Sequence, residues 1–283
     1  MPPDDGDLTP SANGIVGGSV ELLADADRPG GWLFLIDRIR QSYVDLEDPT
    51  YLDFEYMQAF ADVLDALPGG PLAVTHVGGG ACTFVRYVAA TRPGSPQIVL
   101  EPDAAMIATV RARLPFARGT RVRIRHVRGR EGITALGPGS ADMVVIDAFH
   151  GGRVPSELMT VEFFTDVARV LRPDGVVLVN VADGPPGLFT RRLVSAIRSV
   201  LPHTLVCGDP AVLKFRRFGN LVVAASRVPL PVDEIARSAA RAMFPRRILY
   251  GGVLRTFVGA ASALSDGNPM RSPQPPEEVW RVG

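Results

Sequence analysis

The chain is poor in the residues that would announce several kinds of protein. Its 283 residues hold two cysteines, Cys82 and Cys207, too few for a disulfide framework or a cysteine-built zinc site. This usage fits a reducing compartment, and a cytoplasmic protein is expected. Four histidines, with no metal-like spacing, give no reason to expect a metal. His76, His126 and His203 fall in or beside apolar runs and read as structural. No charge of either sign predominates: thirty basic residues cancel thirty acidic ones, so bulk charge favours neither nucleic acid nor a membrane surface as partner. No apolar run reaches about 18 residues, the length a membrane helix needs. The acidic start, Met1-Pro2-Pro3-Asp4-Asp5, lacks the apolar core of a secretory signal. Only one basic residue, Lys214, is a lysine, which reads as GC-rich coding rather than chemistry.

What is present is 46% hydrophobic residues, enough for a full domain core and too many for a disordered chain. Residues 1–12 read as a disordered tail. Residues 13–49 carry strand-like runs at Val20 to Leu23, Trp32 to Asp37 and Ser42 to Leu46, separated by turn residues. They predict a small antiparallel meander. Asp48-Pro49-Thr50 looks like a helix start, and Tyr51 to Leu67 sets Leu52, Tyr56, Phe60, Val63, Leu64 and Leu67 on one stripe. From Leu72 to Ala225, short apolar runs alternate with helical patterns. This rhythm predicts a Rossmann-like α/β domain over residues 50–227, with a mostly parallel sheet covered on both faces. The short link from Gly208 to Gly219 leaves no room for a crossover helix, so the last strand should be antiparallel. Residues 228–283 predict one helix, from Val232 to Met243, and a Pro-rich tail.

Three strand ends carry the chemistry. The run Val77-Gly78-Gly79-Gly80 joins a strand to a helix, which lets backbone approach a ligand and aims a helix N-terminus at it. It is not a GxGxxG. The next strand ends in Glu101 about twenty residues on, where an acid can accept hydrogen bonds from two ribose hydroxyls; Asp103 reads as a helix cap. The fourth strand of the alternation ends in Asp147, which should face the same crevice. An alkylamine with a pKa of about 10.4 needs roughly 4 kcal/mol to expose its lone pair near neutrality, and a carboxylate that holds it and accepts the proton addresses that cost. His150 follows in a loop, as a second polar group of the crevice or an exposed residue. Asp183, just past the fifth strand, is either a second amine-holding acid or a turn residue. Arg121, Arg123 and Arg125 alternate with Val122 and Ile124, as suits a charged sheet edge.

Between Gly31 and Ala225 the chain resembles the spermidine synthase (polyamine aminopropyltransferase) family, a branch of the class I S-adenosylmethionine-dependent methyltransferase fold. The likeness rests on Leu35-Ile36-Asp37 with Gln41, on Glu55, Gly78-Gly79-Gly80, Glu101-Pro102-Asp103 and Asp147, and on Thr160 to Phe164 leading to Leu171-Arg172-Pro173-Asp174-Gly175. It implies a seven-stranded sheet behind a β-meander, and a homodimer. It implies a cofactor site for decarboxylated S-adenosylmethionine or S-adenosylmethionine at Gly78, Gly79, Gly80, Glu101 and Gln41. It also implies Asp147 as the catalytic acid that positions and deprotonates a small-molecule amine, with Glu55 and His150 near that amine. The family's Gly-Gly-Gly-Asp-Gly-Gly reads Gly78-Gly79-Gly80-Ala81-Cys82-Thr83 here, so the acid that holds the aminopropyl ammonium is gone. That loss costs about 1.5–3 kcal/mol. The family's Gly-Asp after the third strand reads Gly129-Arg130, its Asp-x-x-Asp reads Asp147-Ala148-Phe149-His150, and its Tyr-His-Glu reads Asp53-Phe54-Glu55. The expected function is therefore a spermidine synthase-like transferase, with a small-molecule methyltransferase or a non-catalytic nucleoside-binding homologue as alternatives.

Overall fold

A computed structural model describes residues 20–36 and 39–276. The expected acidic tail and Asp37 lie outside the described residues. The chain opens with β1 (Val20–Ala24), β2 (Gly31–Ile36) and β3 (Ile39–Asp45), an antiparallel meander in the order β1-β2-β3. Its tight connections are stitched by side chains. Arg28 reaches Asp45 at 2.8 Å, and the Tyr43 hydroxyl donates to Asp25 at 2.6 Å.

Helix α1 (Glu55–Ala66) starts later than the apolar stripe predicts. Asp48 spends its carboxylate on the Thr50 N–H and hydroxyl, which fixes a turn instead of capping a helix. The alternation then follows: β4 (Val74–Val77), α2 (Thr83–Thr91), β5 (Gln97–Glu101), α3 (Ala104–Arg113), β6 (Val122–His126), α4 (Gly129–Thr134), β7 (Ala141–Ile146), α5 (Val161–Val170), β8 (Leu171–Asp183), α6 (Leu188–Val200), β9 (His203–Gly208), α7 (Pro210–Leu213) and β10 (Gly219–Ser226). Short side chains close the helix starts. Asp103 caps α3 through the Met106 N–H, and Thr160 caps α5 through the Phe163 N–H.

The main sheet runs β11-β9-β10-β8-β7-β4-β5-β6. Strand β10 is antiparallel to both β8 and β9, as the short link requires, although that link also holds the single turn α7. The sheet has eight strands rather than seven. The extra one, β11 (Arg247–Tyr250), comes from the C-terminal segment between α8 (Val232–Arg241) and α9 (Gly251–Val258) and pairs with β9. The arginine-rich β6 does form the opposite edge. Among the described residues no helix is long and apolar enough to cross a membrane.

Period-two alternation divides the core between two faces. Val177, Val179 and Val181 of β8 pack with α5 and α6, while Val176 and Leu178 pack with α1. Asn180 has the parity of the α1 face, a polar residue within the apolar run Val176 to Ala182. The meander sits over α2 through Phe34, Val44, Cys82 and Val85.

Candidate functional site

In the strand order β7-β4-β5 the three chemically suggestive ends are adjacent and parallel. Gly78 has φ +85°, and a Cβ there would lie 2.3 Å from the Asp147 carbonyl oxygen. Only glycine permits both this backbone sign and this approach. The Asp147 N–H donates to the Val77 carbonyl at 2.9 Å, and the Gly78 N–H to that of Leu100 at 3.0 Å. The turn and both acids are therefore framed by one set of backbone contacts.

Glu101 is held in place before any ligand arrives. One carboxylate oxygen accepts the Gly79 N–H at 2.9 Å and the other the Asp103 N–H at 3.0 Å. Burial pushes its pKa up, against these backbone donors. Each oxygen keeps a second lone pair for a hydroxyl. The strand bearing Gln41 lies against the same turn: the hydroxyl of neighbouring Ser42 accepts the Ala81 N–H at 3.3 Å, and Thr83 donates to the Tyr43 carbonyl at 2.8 Å. Ala81, where an acid is lost, is fully buried beneath the meander. Cys82 takes a left-handed backbone (φ 61°) to start α2, and burial raises its thiol pKa to about 12, so it is an inert packing residue.

Asp147 accepts from two side chains. The Tyr56 hydroxyl reaches one oxygen at 3.1 Å and the Asn180 amide the other at 2.9 Å; Asn180 in turn accepts from Asn220 at 2.9 Å. Burial raises the Asp147 pKa, opposed by both donors. Burial, and then the Asp147 charge, push the Tyr56 phenol well above its ordinary value, so it stays a donor. A fixed carboxylate with a raised pKa is suited to hold an ammonium and accept its proton. Tyr56, Asn180 and Asn220 escape a reading by sequence pattern. Tyr56 belongs to the apolar stripe of α1, and only the isolated asparagine inside Val176 to Val181 signals the network.

The remaining expected residues are not all brought to this point. Glu55 is the exposed first residue of α1. His150 is exposed, and its backbone pairs with Arg153 across Gly151 and Gly152. Asp183 is 2% exposed, with its oxygens taken by the Gly184 N–H and by the N–H and hydroxyl of Thr190. It serves the turn into α6 rather than the crevice. Arg153 and Val154, in the loop after Asp147, are tied to Ser272 at 2.6 and 2.9 Å. Arg130, where an acid would be expected, pairs instead with Asp266 at 2.5 Å. His76 is buried against Gln97 at 2.8 Å, and burial lowers its pKa to about 4, in keeping with a structural role.

No protein-family model matches the chain. The polyamine aminopropyltransferase of Chromobacterium violaceum is 28% identical over 187 residues, 64% of this chain and 70% of that protein. A crystal structure of a probable spermidine synthase from Corynebacterium glutamicum superposes with a TM-score of 0.83 at 31% identity, over 92% of this chain and 96% of that one. The chain belongs to the spermidine synthase family. The wider fold is that of methyltransferases: human methyltransferase-like protein 13, solved with SAH, matches with a TM-score of 0.55 at 19% identity over 75% of this chain and 96% of that one.

Proposed function

We propose that this chain is a transferase that binds an adenosyl sulfonium compound, decarboxylated S-adenosylmethionine or S-adenosylmethionine, and passes an aminopropyl-type group to a small amine. The observation that carries the reading is Asp147: a half-buried, doubly oriented carboxylate whose backbone touches a glycine turn that Glu101 braces from the other side. The residues fit such a donor. Glu101 retains lone pairs for ribose hydroxyls, and the turn at Gly78 to Gly80 bares backbone where side chains would intrude.

The sulfonium supplies an electrophilic carbon and a neutral thioether as leaving group. Everything else falls to the chain. Glu101 and the turn fix the nucleoside. Asp147 holds the amine by its N–H groups, keeps its lone pair in line with the carbon and takes one proton as the C–N bond forms and the C–S bond breaks. Tyr56 and Asn180 stop the carboxylate from rotating away. A second reading, methyl transfer from S-adenosylmethionine, is favoured by Ala81, which offers no charge to select the decarboxylated donor.

Mass spectrometry of the nucleoside product separates the two. Incubation with each donor and a panel of amines should release methylthioadenosine, and Asp147→Asn should slow that release by about 10²–10⁴-fold. Release of S-adenosylhomocysteine instead would establish the second reading. An Asp147→Asn variant with full activity would remove the mechanism.

A further inference from the structure

The side chains behind Asp147 form a row across three neighbouring strands, β10, β8 and β7. Asn220 of β10 pairs with Ala182, and Asn180 of β8 pairs with Val222, so the two asparagines are diagonal neighbours on one face. That face is the one α1 covers, since Leu178, Val222 and Ala224 share its parity and pack with Phe60 and Val63. The Asn220 amide donates to the Asn180 oxygen at 2.9 Å, and the Asn180 amide to Asp147 at 2.9 Å. The polarity of the row is dictated from its Asp147 end. An ionised carboxylate only accepts, so Asn180 must turn its NH₂ group toward it. The Asn180 oxygen then faces β10 and needs a donor there. Among the described residues Asn220 alone supplies one. Turned over, the Asn180 amide would lose its bond to Asp147 and set an oxygen against the carboxylate.

We propose that Asn220 is a positioning residue: by donating to the Asn180 oxygen it fixes which end of that amide meets Asp147, and so keeps the carboxylate ionised and aimed. The transferase reading above says what Asp147 does; this assignment says what sets it. Tyr56 of α1 is the titratable side chain that touches Asp147 among the described residues, and no charged group bonds either asparagine. The ionic groups of the cavity that Asn220 borders, among them Glu55, Asp209 and Arg217, stand outside the row. That cavity, of about 270 Å³, leaves room for substitutions at Asn220.

The test compares two substitutions of similar size in the full chain. Asn220→Leu removes the donor. Asn220→Asp replaces it with an acceptor, which draws the Asn180 NH₂ group to itself and away from Asp147. Asn220→Leu should lower kcat/KM by about 2- to 10-fold, the share of a neutral hydrogen bond. Asn220→Asp should lower it by about 10- to 150-fold, the share of the lost bond to the carboxylate. Carbon-13 NMR reads the same row without turnover. The Asp147 carboxyl, assigned with Asp147→Asn, should titrate at higher pH in both variants, and further up in Asn220→Asp. With Asn180→Leu already in place, Asn220→Leu should change neither readout, and Asn220→Asp should keep only its repulsion through space. Equal losses in the two variants, an unmoved Asp147 titration, or effects undiminished beside Asn180→Leu overturn the proposal. So does loss of methylthioadenosine binding by Asn220→Leu, which would make Asn220 part of the frame of the nucleoside site. If the unaltered chain turns over no amine while the Asp147 titration moves as expected, the transferase reading falls and the role of Asn220 stands.

Discussion

Removing the Tyr56 hydroxyl tests whether Asp147 is a base held by its donors or a carboxyl indifferent to them. A hydrogen bond to a charged group contributes about 1.5–3 kcal/mol. The Tyr56 contact, at 3.1 Å, is longer than the roughly 2.5–2.7 Å of a strong hydroxyl–carboxylate bond, which places it near the lower end. Tyr56→Phe should therefore lower kcat/KM by about tenfold. The Asn180 contact, at 2.9 Å, has ordinary length and is tied to Asn220 behind it, so Asn180→Leu should lower it by about 150-fold. Both donors favour the ionised carboxylate. Losing either raises the Asp147 pKa further, and the acid limb of the kcat/KM–pH profile moves to higher pH.

Stability supplies a readout that needs no substrate. A carboxyl whose folded pKa is raised contributes stability that is present below its unfolded value and lost as pH rises through the folded one. Because Tyr56→Phe raises it again, the variant's deficit in Tm should be larger near pH 8 than near pH 4. An unmoved acid limb, a deficit independent of pH, or a greater activity loss for Tyr56→Phe than for Asn180→Leu would refute the reasoning.

Other expectations follow from the same contacts. Gly78→Ala sets a methyl 2.3 Å from the Asp147 carbonyl at a positive φ, so urea melts should show a loss of at least about 1–3 kcal/mol. Glu101→Gln keeps the shape but not the charge, and calorimetry should show methylthioadenosine bound about 10- to 150-fold more weakly. Asp183→Ala should cost about 1–3 kcal/mol in chemical denaturation with no change in KM for either substrate, because its oxygens serve Gly184 and Thr190. His76 stays neutral in the fold down to about pH 4, while the unfolded chain takes up its proton near pH 6.5. Stability should therefore fall by roughly 3 kcal/mol between those values, and His76→Asn should flatten that part of the curve.

Much of the frame was legible because the relevant signals are local. Glycines after Val77, an acid after Leu100 and an acid after Ile146 each end an apolar run, and parallel pairing alone then brings them together. The alternation of strands and helices followed from run lengths, and the antiparallel β10 from one short link. What was illegible depends on partners distant in sequence. Tyr56 and Asp147 are 91 residues apart, and nothing near Tyr56 distinguishes a hydroxyl with a destination from a ring that packs. Asp183 looked open because its nearest neighbours are Gly184 and Pro185; Thr190, seven residues on, consumes it. Strand β11 has only four residues and no buried ones, so its existence rests on the edge of β9 rather than on its own pattern.

The ties from Ser272 to Arg153 and Val154, and from Asp266 to Arg130, have a consequence for the order of events during synthesis. The loop after Asp147 is fastened by residues translated more than a hundred positions later. A nascent chain can close its sheet while this loop still lacks its fastening. Competence for chemistry should therefore arrive late, when the segment around residues 266–272 has cleared the ribosome and knotted the wall in place.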